Sequence, residues 1–422
     1  MARSFSEIGA KVARGDAIVL TAQEVGEALA DGGRLAPEEV DVVTCATRAV
    51  MSGTYAVLSF PAAAPGSFVR AKGARLNGVP ALVGPCPNER LGHLDLIVFG
   101  TAESREDSRY GGGHLFRDLV EGEDVRVEVD VEGGGFEVDL SLADMSTARL
   151  FGTRHCFKNY SAFVNPGEER VSTIFHASTF DPCWTGASVS GCGRLNPLEN
   201  DPLLETIGVG TRVLMNGAEG FVLGKGTRSS PDRPNLSGYA EMHEMDPEYM
   251  GGFATSAGPE CISSWAVPIP VLREGILERM AAPEGAIPLP VLDVTTRKEL
   301  GRATYADVWE GVDLMVKFDP EACKRCTACR AEAICPTGAI AFRDFLPTLD
   351  RKRCFNCGLC ATSCAGDVFR AHLGSLRFAG REVPIVVRQS DRLRAERLAE
   401  ELKRRILDGR FRMTEMAERI SP

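Results

Sequence analysis

Eight of the fourteen cysteines fall between Cys323 and Cys364, and their spacing is the most informative feature of the chain. Cys323-x2-Cys326-x2-Cys329-x5-Cys335-Pro336 is followed by Cys354-x2-Cys357-x2-Cys360-x3-Cys364. Thiolates separated by two residues wrap one corner of an iron–sulfur cubane, and the fourth ligand then comes from the other run. The expected ligand sets are Cys323, Cys326, Cys329 with Cys364, and Cys354, Cys357, Cys360 with Cys335. Two [4Fe-4S] clusters result. Zinc ribbons would normally use two separated Cys-x2-Cys pairs instead. Such clusters pass electrons but transform no substrate, so the larger part of the chain must supply the chemistry.

The other six cysteines, Cys45, Cys86, Cys156, Cys183, Cys192 and Cys261, are scattered. Cys86 lies in GPCPNER, Cys192 in SGCGR and Cys261 in AGPEC, loop contexts whose backbone amides favour a thiolate and so a nucleophile or sulfur carrier. The plainer alternative for each is a small buried hydrophobe. Cys45, after DVVT, and Cys183, beside Trp184, read as core, whereas Cys156 in RHCFK is flanked by two basic residues and His155. His114, after three glycines, is a candidate proton donor, with Glu89 as a second choice; a lone histidine is otherwise a hydrogen-bonded structural residue. Arg212 in GVGTR and Arg228 in GTRSS sit in glycine-rich stretches suited to an anion. Neither stretch has the dinucleotide or Walker spacing, so neither nucleotide nor nicotinamide is expected.

These groups need a scaffold. A helix over SFSEIGAKVARG, a short strand at Ala17–Leu20 and a capped helix starting at Thr21, with Glu24 three residues on, give the N-terminal part an α/β texture. Asp41–Thr44 and Leu94–Phe99 read as buried strands, and Asn77-Gly78 and Asn216-Gly217 as tight hairpin turns in a mixed sheet. The proline-rich stretches Pro268–Leu272 and Pro288–Leu292 read as extended chain closing the large domain, with a boundary near Val316–Pro320. Beyond the cysteine runs, Leu376–Phe378 and Val383–Val387 predict a hairpin. A helix from Ser390 to Asp408 follows, its apolar Ala395, Leu398, Leu402 and Ile406 recurring on one face. The fold class expected is an α/β mixed-sheet large domain over residues 1–318, an α+β bacterial-type 2[4Fe-4S] ferredoxin domain over 319–369, and a C-terminal hairpin and helix over 370–422 that docks back onto the large domain.

Hydrophobic residues make up 44% and charged residues 25% of the 422, which is ordinary globular composition and excludes collagen, coiled coil and wholesale disorder. The formal net charge is −10, although residues 370–422 are net basic. An acidic body argues against general nucleic-acid binding. No apolar stretch approaches the ~18 residues that span a bilayer, and the N-terminal residues lack an apolar core. A cytoplasmic protein without a membrane segment is expected.

Taken together, DVVTCATRAVMSGTYAVLSF (41–60), NGVPALVGPCPNERLG (77–92), YGGGHLFRDLVEG (110–122), RHCFKNYSAFVNP (154–166), SGCGRLNPLENDP (190–202), IGVGTRVLMNGAEGFVLGKGTRSSP (207–231) and VPIVVRQSDRLRAERLAEEL (383–402) resemble the methanogenesis marker metalloproteins, which belong with the aspartate-semialdehyde sulfurtransferases of homocysteine biosynthesis. The resemblance implies reductive sulfuration of a small aldehyde. In one branch aspartate semialdehyde becomes homocysteine; in the other, sulfoacetaldehyde becomes coenzyme M, 2-mercaptoethanesulfonate. The homocysteine-forming relatives carry a cysteine where this chain has Ser52, which favours the coenzyme M branch, as does the fused ferredoxin, and leaves Cys86, Cys192 and Cys261 as carrier candidates. Arg212 and Arg228 are the expected sulfonate ligands. The expected partners are the aldehyde, a sulfide or persulfide donor and an external low-potential electron donor, and self-association into a homo-oligomer is compatible with the sequence.

Overall fold

The structure, a computed structural model, describes residues Arg3–Ser421 except Asp31, Gly32 and Arg34; Met1, Ala2 and Pro422, the ends of the first and last expected segments, lie outside it. Before residue 318 strands outnumber helices and form the main regular structure. A 14-stranded sheet begins with Val19–Thr21 and Val42–Val50, continues through Gly258–Pro270, Arg212–Met215, Ala218–Lys225, Leu236–Glu241, Thr147–His155, Thr54–Pro61 and His93–Phe99, and ends in two further hairpins. Only its first pair is parallel; Val42–Val50 runs antiparallel to Gly258–Pro270 over nine residue pairs. The α/β texture expected from the N-terminal residues therefore gives way to a sheet-rich unit with few helices, because short turns join antiparallel strands directly whereas parallel strands need long crossovers. Asn77 (φ 47°) and Gly78 (φ 75°) form one such turn between Leu76 and Val79, and Asn216 (φ 53°) and Gly217 (φ 86°) another between Met215 and Ala218. Both residues of each pair sit at positive φ, as the expected hairpin turns require.

A second, six-stranded sheet runs Glu299–Thr304, Pro288–Asp293, Ala162–Val164, Ala187–Val189, Arg381–Arg388 and Ser375–Phe378. Its composition corrects one expectation: Pro288–Asp293 does not close the large domain but pairs in the interior of this sheet, parallel to Ala162–Val164. The expected C-terminal hairpin is present, and its strand Arg381–Arg388 is itself interior, parallel to Ala187–Val189. Residues 370–422 are thus woven into the large unit as well as packed on it. The helix Arg392–Leu407, N-capped by Asp391, buries Ala395, Leu398, Leu402 and Ile406 against the strands Val19–Thr21, Val42–Val50 and Gly258–Pro270.

The cysteine-rich segment leaves and rejoins this body at one place, where Lys317–Phe318 pairs antiparallel with Phe369–Arg370. Inside it lie the hairpin Ile340–Arg343/Leu346–Leu349 and two five-residue helices, Arg330–Ile334 and Leu359–Ser363, each starting next to the third cysteine of its run. The doubled motif is visible in the backbone: Arg325 (φ 52°) and Asn356 (φ 53°) occupy equivalent left-handed positions between the first two cysteines of each run. Their N–H groups point at Cys323 Sγ (3.4 Å) and Cys354 Sγ (3.5 Å). Among the described residues no helix is long and apolar enough to cross a membrane.

Candidate functional site

A cavity of about 50 Å³ opens between the two sheets. Its wall includes Ser52, just past the strand Val42–Val50; Arg154, at the end of Thr147–His155; Glu260, on Gly258–Pro270; and Ser190 and Gln389 from the second sheet side. The local turn is fixed by Gly53 (φ 89°), where a Cβ would stand 2.7 Å from Thr153 Oγ1. Thr153 donates to the Gly53 carbonyl through both its backbone N–H (2.9 Å) and its hydroxyl (3.0 Å), which ties Ser52 to the strand end carrying Arg154. Met51 N–H bonds the Cys261 carbonyl at 2.7 Å, bringing Ser52 beside Glu260.

Ser52 Oγ donates to Glu260 Oε2 at 2.8 Å. Burial pushes the Glu260 carboxyl above the usual carboxylate range, opposed only by that bond. Arg154 is the complementary group. Its Nε is shielded from solvent and has no hydrogen-bond partner, and its guanidinium lies over the rings of Phe157 (4.9 Å) and Tyr160 (6.0 Å). Arg48, Arg194, Arg212, Arg279 and Arg388 share such an unpartnered Nε, but Arg154 alone of these lines this cavity, where a ligand could supply the acceptor. The cavity therefore combines an anion-seeking fork, a carboxyl whose proton affinity burial raises and a small volume.

The two cysteine runs come close to one another in the fold. Cys323, Cys326, Cys329 and Cys364 all border one space of about 160 Å³. Cys354, Cys357, Cys360 and Cys335 form the other group: after burial, the next influences raising the Cys357 and Cys360 thiols are their neighbours in this set, and Cys335 acts likewise on Cys354. Among the described residues no three such side chains converge on a point as they would around a single ion; a cubane instead bonds each thiolate to a different iron and keeps the sulfurs apart. All-thiol donor sets facing a common space, with amides aimed at sulfur, fit an iron–sulfur cluster. The second set is anchored to the body, since Arg388 N–H bonds the Cys357 carbonyl (2.9 Å) and Arg394 Nη1 the Cys354 carbonyl (2.6 Å). Cys357 packs with Phe253, Ile262 and Val387, against Val50, and Val50 is itself part of the cavity wall.

The remaining expected residues are dispersed. Cys192 is buried two residues beyond Ser190; its sulfur lies 3.7 Å from both Thr47 Oγ1 and the Arg48 carbonyl, and burial raises its thiol to about 11. Cys261 is buried with its sulfur packed against Gly100 and Gly113; it follows Glu260 on the strand and so faces the opposite side of the sheet from the cavity. Its thiol too is raised by burial. Cys86 is exposed, with Asn88 Nδ2 3.5 Å from its sulfur. Cys45 and Cys156 are buried, but Cys183, expected in the core, is exposed at a left-handed turn (φ 58°). His114 is not placed to give a proton in the cavity: its Nδ1 accepts from Gly111 N–H (3.2 Å), its Nε2 faces the Pro336 carbonyl (3.3 Å), and burial lowers it to about 4. Glu89, the second choice of acid, lies outside the cavity in the short turn Glu89–Leu91. Arg212 and Arg228 also stay outside. Arg212 pairs with Glu219 at 3.1 Å and lies over Phe221, and Arg228 is exposed. Of the expected site residues, Ser52 alone lines the cavity. Arg154 and Glu260 were passed over because each stands next to a more conspicuous neighbour, in RHCFK and AGPEC.

A family model described as homocysteine biosynthesis enzyme, sulfur-incorporation, matches residues 17–413. A protein of Methanothermobacter thermautotrophicus is 49% identical over 413 residues, 97% of this chain and 94% of that one. An L-aspartate semialdehyde sulfurtransferase of Methanocaldococcus jannaschii is 30% identical over 312 residues, 69% of this chain but 58% of that enzyme. A ferredoxin of the same organism is 40% identical over 45 residues, 11% of this chain. No solved structure matches. With a family model covering nearly its whole length, this chain belongs to the homocysteine biosynthesis enzyme, sulfur-incorporation, family.

Proposed function

We propose that the protein reductively sulfurates a small anionic aldehyde, with sulfoacetaldehyde as substrate and coenzyme M as product. The observation that carries this reading is Arg154, whose shielded Nε has no acceptor among the described residues, lining one small cavity with the Ser52–Glu260 pair. The aldehyde and hydrosulfide take up two electrons and three protons, giving the thiol and one molecule of water; the C=O bond is lost, a C–S and a C–H bond form, and the oxygen leaves as water. Arg154 binds the sulfonate through its planar fork and orients the carbonyl toward Ser52 and Glu260. Addition of sulfide gives a thiohemiacetal, and Glu260, whose carboxyl burial raises above its ordinary value, is the acid placed to donate to the departing hydroxyl as water leaves. Ser52 holds the carboxyl in place, and the enclosing Phe157, Tyr160 and Phe175 exclude bulk water. Two [4Fe-4S] clusters, held by Cys323, Cys326, Cys329, Cys364 and by Cys354, Cys357, Cys360, Cys335, would supply one electron each. Were sulfur to arrive instead as a persulfide on Cys192, two residues beyond Ser190, cleaving its S–S bond would take two further electrons from the external donor, four in all, and return the Cys192 thiol.

Aspartate semialdehyde is the second reading, favoured by the relatives' name and by the presence of an acidic residue, Glu260, beside Arg154. Anaerobically reconstituted protein, supplied with sulfide, dithionite and each aldehyde in turn, should form coenzyme M faster than homocysteine at equal concentrations. The reverse order selects the second reading, and thiol from neither aldehyde rejects both in favour of a redox or sulfur adaptor.

A further inference from the structure

The two thiol sets differ in their access to solvent. Cys354, Cys357 and Cys360 are buried and Cys335 is half-buried, whereas Cys326 is exposed and Cys323, Cys329 and Cys364 are half-buried, so the first set is the more accessible. Around the accessible set the charge changes sign. From Cys323 to Arg330 the chain carries Lys324, Arg325 and Arg330 and no acidic residue, in a protein of net charge −10. All three side chains are exposed, and among the described residues the ion pairs nearest in sequence, Lys317–Asp313 and Arg343–Glu332, leave all three unpaired. Beside them the hairpin tip presents Phe345 and Leu346, 59% and 39% exposed, and the Phe345 carbonyl lies 3.9 Å from Cys323 Sγ. An apolar tip ringed by free cations, next to accessible thiols, has the features of a contact surface for a negatively charged protein.

We propose that Lys324, Arg325, Arg330, Phe345 and Leu346 form the docking site of a small acidic one-electron carrier protein, and that electrons enter at the Cys323 set and leave from the Cys354 set. The proposal rests on the reading above that both sets hold clusters. Two reduced carriers are each oxidised by one electron per aldehyde, which meets the two-electron requirement of the reaction. The acidic remainder of the protein repels such a carrier and the basic island attracts it, so encounter is steered to the one face where the sulfurs are accessible.

The test uses iron-loaded full-length protein and a small acidic ferredoxin as probe, measuring equilibrium binding and the rate at which reduced ferredoxin is oxidised on mixing. Wild-type binding should weaken about tenfold or more from low salt to half-molar salt, and K324E/R325E/R330E should bind about tenfold or more weakly at low salt. Salt-independent binding overturns the proposal. So does unchanged binding by the triple variant at full iron content. Should the triple variant lose iron, Arg330→Gln and Phe345→Ser, outside the ligand positions, decide by the same measurements. Tighter binding of short duplex DNA than of ferredoxin also overturns it. Dithionite separates this proposal from the catalytic one: docking fails alone where dithionite drives thiol formation but ferredoxin does not bind, and catalysis fails alone where ferredoxin binds as expected but no thiol forms.

Discussion

Replacing Arg154 by Gln removes the cavity's charged fork while keeping a polar side chain of moderate length. In the structure the guanidinium has no ion pair, and its shielded Nε has no acceptor, so the substitution orphans no protein group. Its loss to the fold is the stacking over Phe157 and Tyr160, about 0.5–1 kcal/mol at an accessible site. Its loss to a bound anion is larger: a charge-assisted hydrogen bond contributes ~1.5–3 kcal/mol, and ~1.4 kcal/mol corresponds to tenfold. Arg154→Gln should therefore raise the half-saturating concentration of sulfoacetaldehyde by about ten- to a hundredfold. Steady-state thiol formation, compared for sulfoacetaldehyde and uncharged propionaldehyde, isolates the effect. The uncharged aldehyde should be handled almost equally by both proteins, with iron content unchanged. Arg154→Lys should recover only part of the loss, because an ammonium keeps the charge but not the bidentate geometry. Equal losses for both aldehydes, or none for sulfoacetaldehyde, would refute the assignment of Arg154 to the anion.

Glu260→Gln should remove the alkaline limb of the pH–rate profile. Burial raises the folded-state pKa, so the acid form persists above the usual carboxylate range, and the rate should fall as pH rises through that raised value. The same shift makes the carboxyl's contribution to stability present below its unfolded value and lost as pH rises through the folded one, and melting curves of Glu260→Gln should lack that slope. Asp391→Ala should destabilise the protein by about 3–5 kcal/mol, read as a lowered denaturant midpoint at unchanged slope. Asp391 is fully buried, caps the helix Arg392–Leu407 and pairs with both Arg48 (2.9 Å) and Arg394 (2.7 Å), so its removal strands the buried Arg48 and leaves Arg394 with Glu248 (3.1 Å) alone.

Spacing alone carried the cysteine sets, because cluster ligation is dictated by short-range chain geometry: the left-handed Arg325 and Asn356 repeat as the doubled motif does. Asn-Gly pairs likewise announced their hairpins, since few residues tolerate two successive positive φ values. The apolar face of the C-terminal helix was legible from its period. The strand order was not, because pairing between Val42–Val50 and Gly258–Pro270, more than two hundred residues apart, depends on contacts that no local pattern records. Pro288–Asp293 entered a sheet interior for the same reason. The cavity lies further from view in the sequence. Ser52, Arg154, Glu260 and Gln389 come from four distant segments, and what distinguishes them is environmental: a shielded donor without an acceptor and a carboxyl denied water. Arg212 and Arg228 sat in the more suggestive local contexts, yet an ion pair holds one and solvent surrounds the other. Residue type and spacing determined which ligands this chain can offer, whereas only the tertiary structure decided which charges stay unpaired, because burial and pairing are properties of the folded chain.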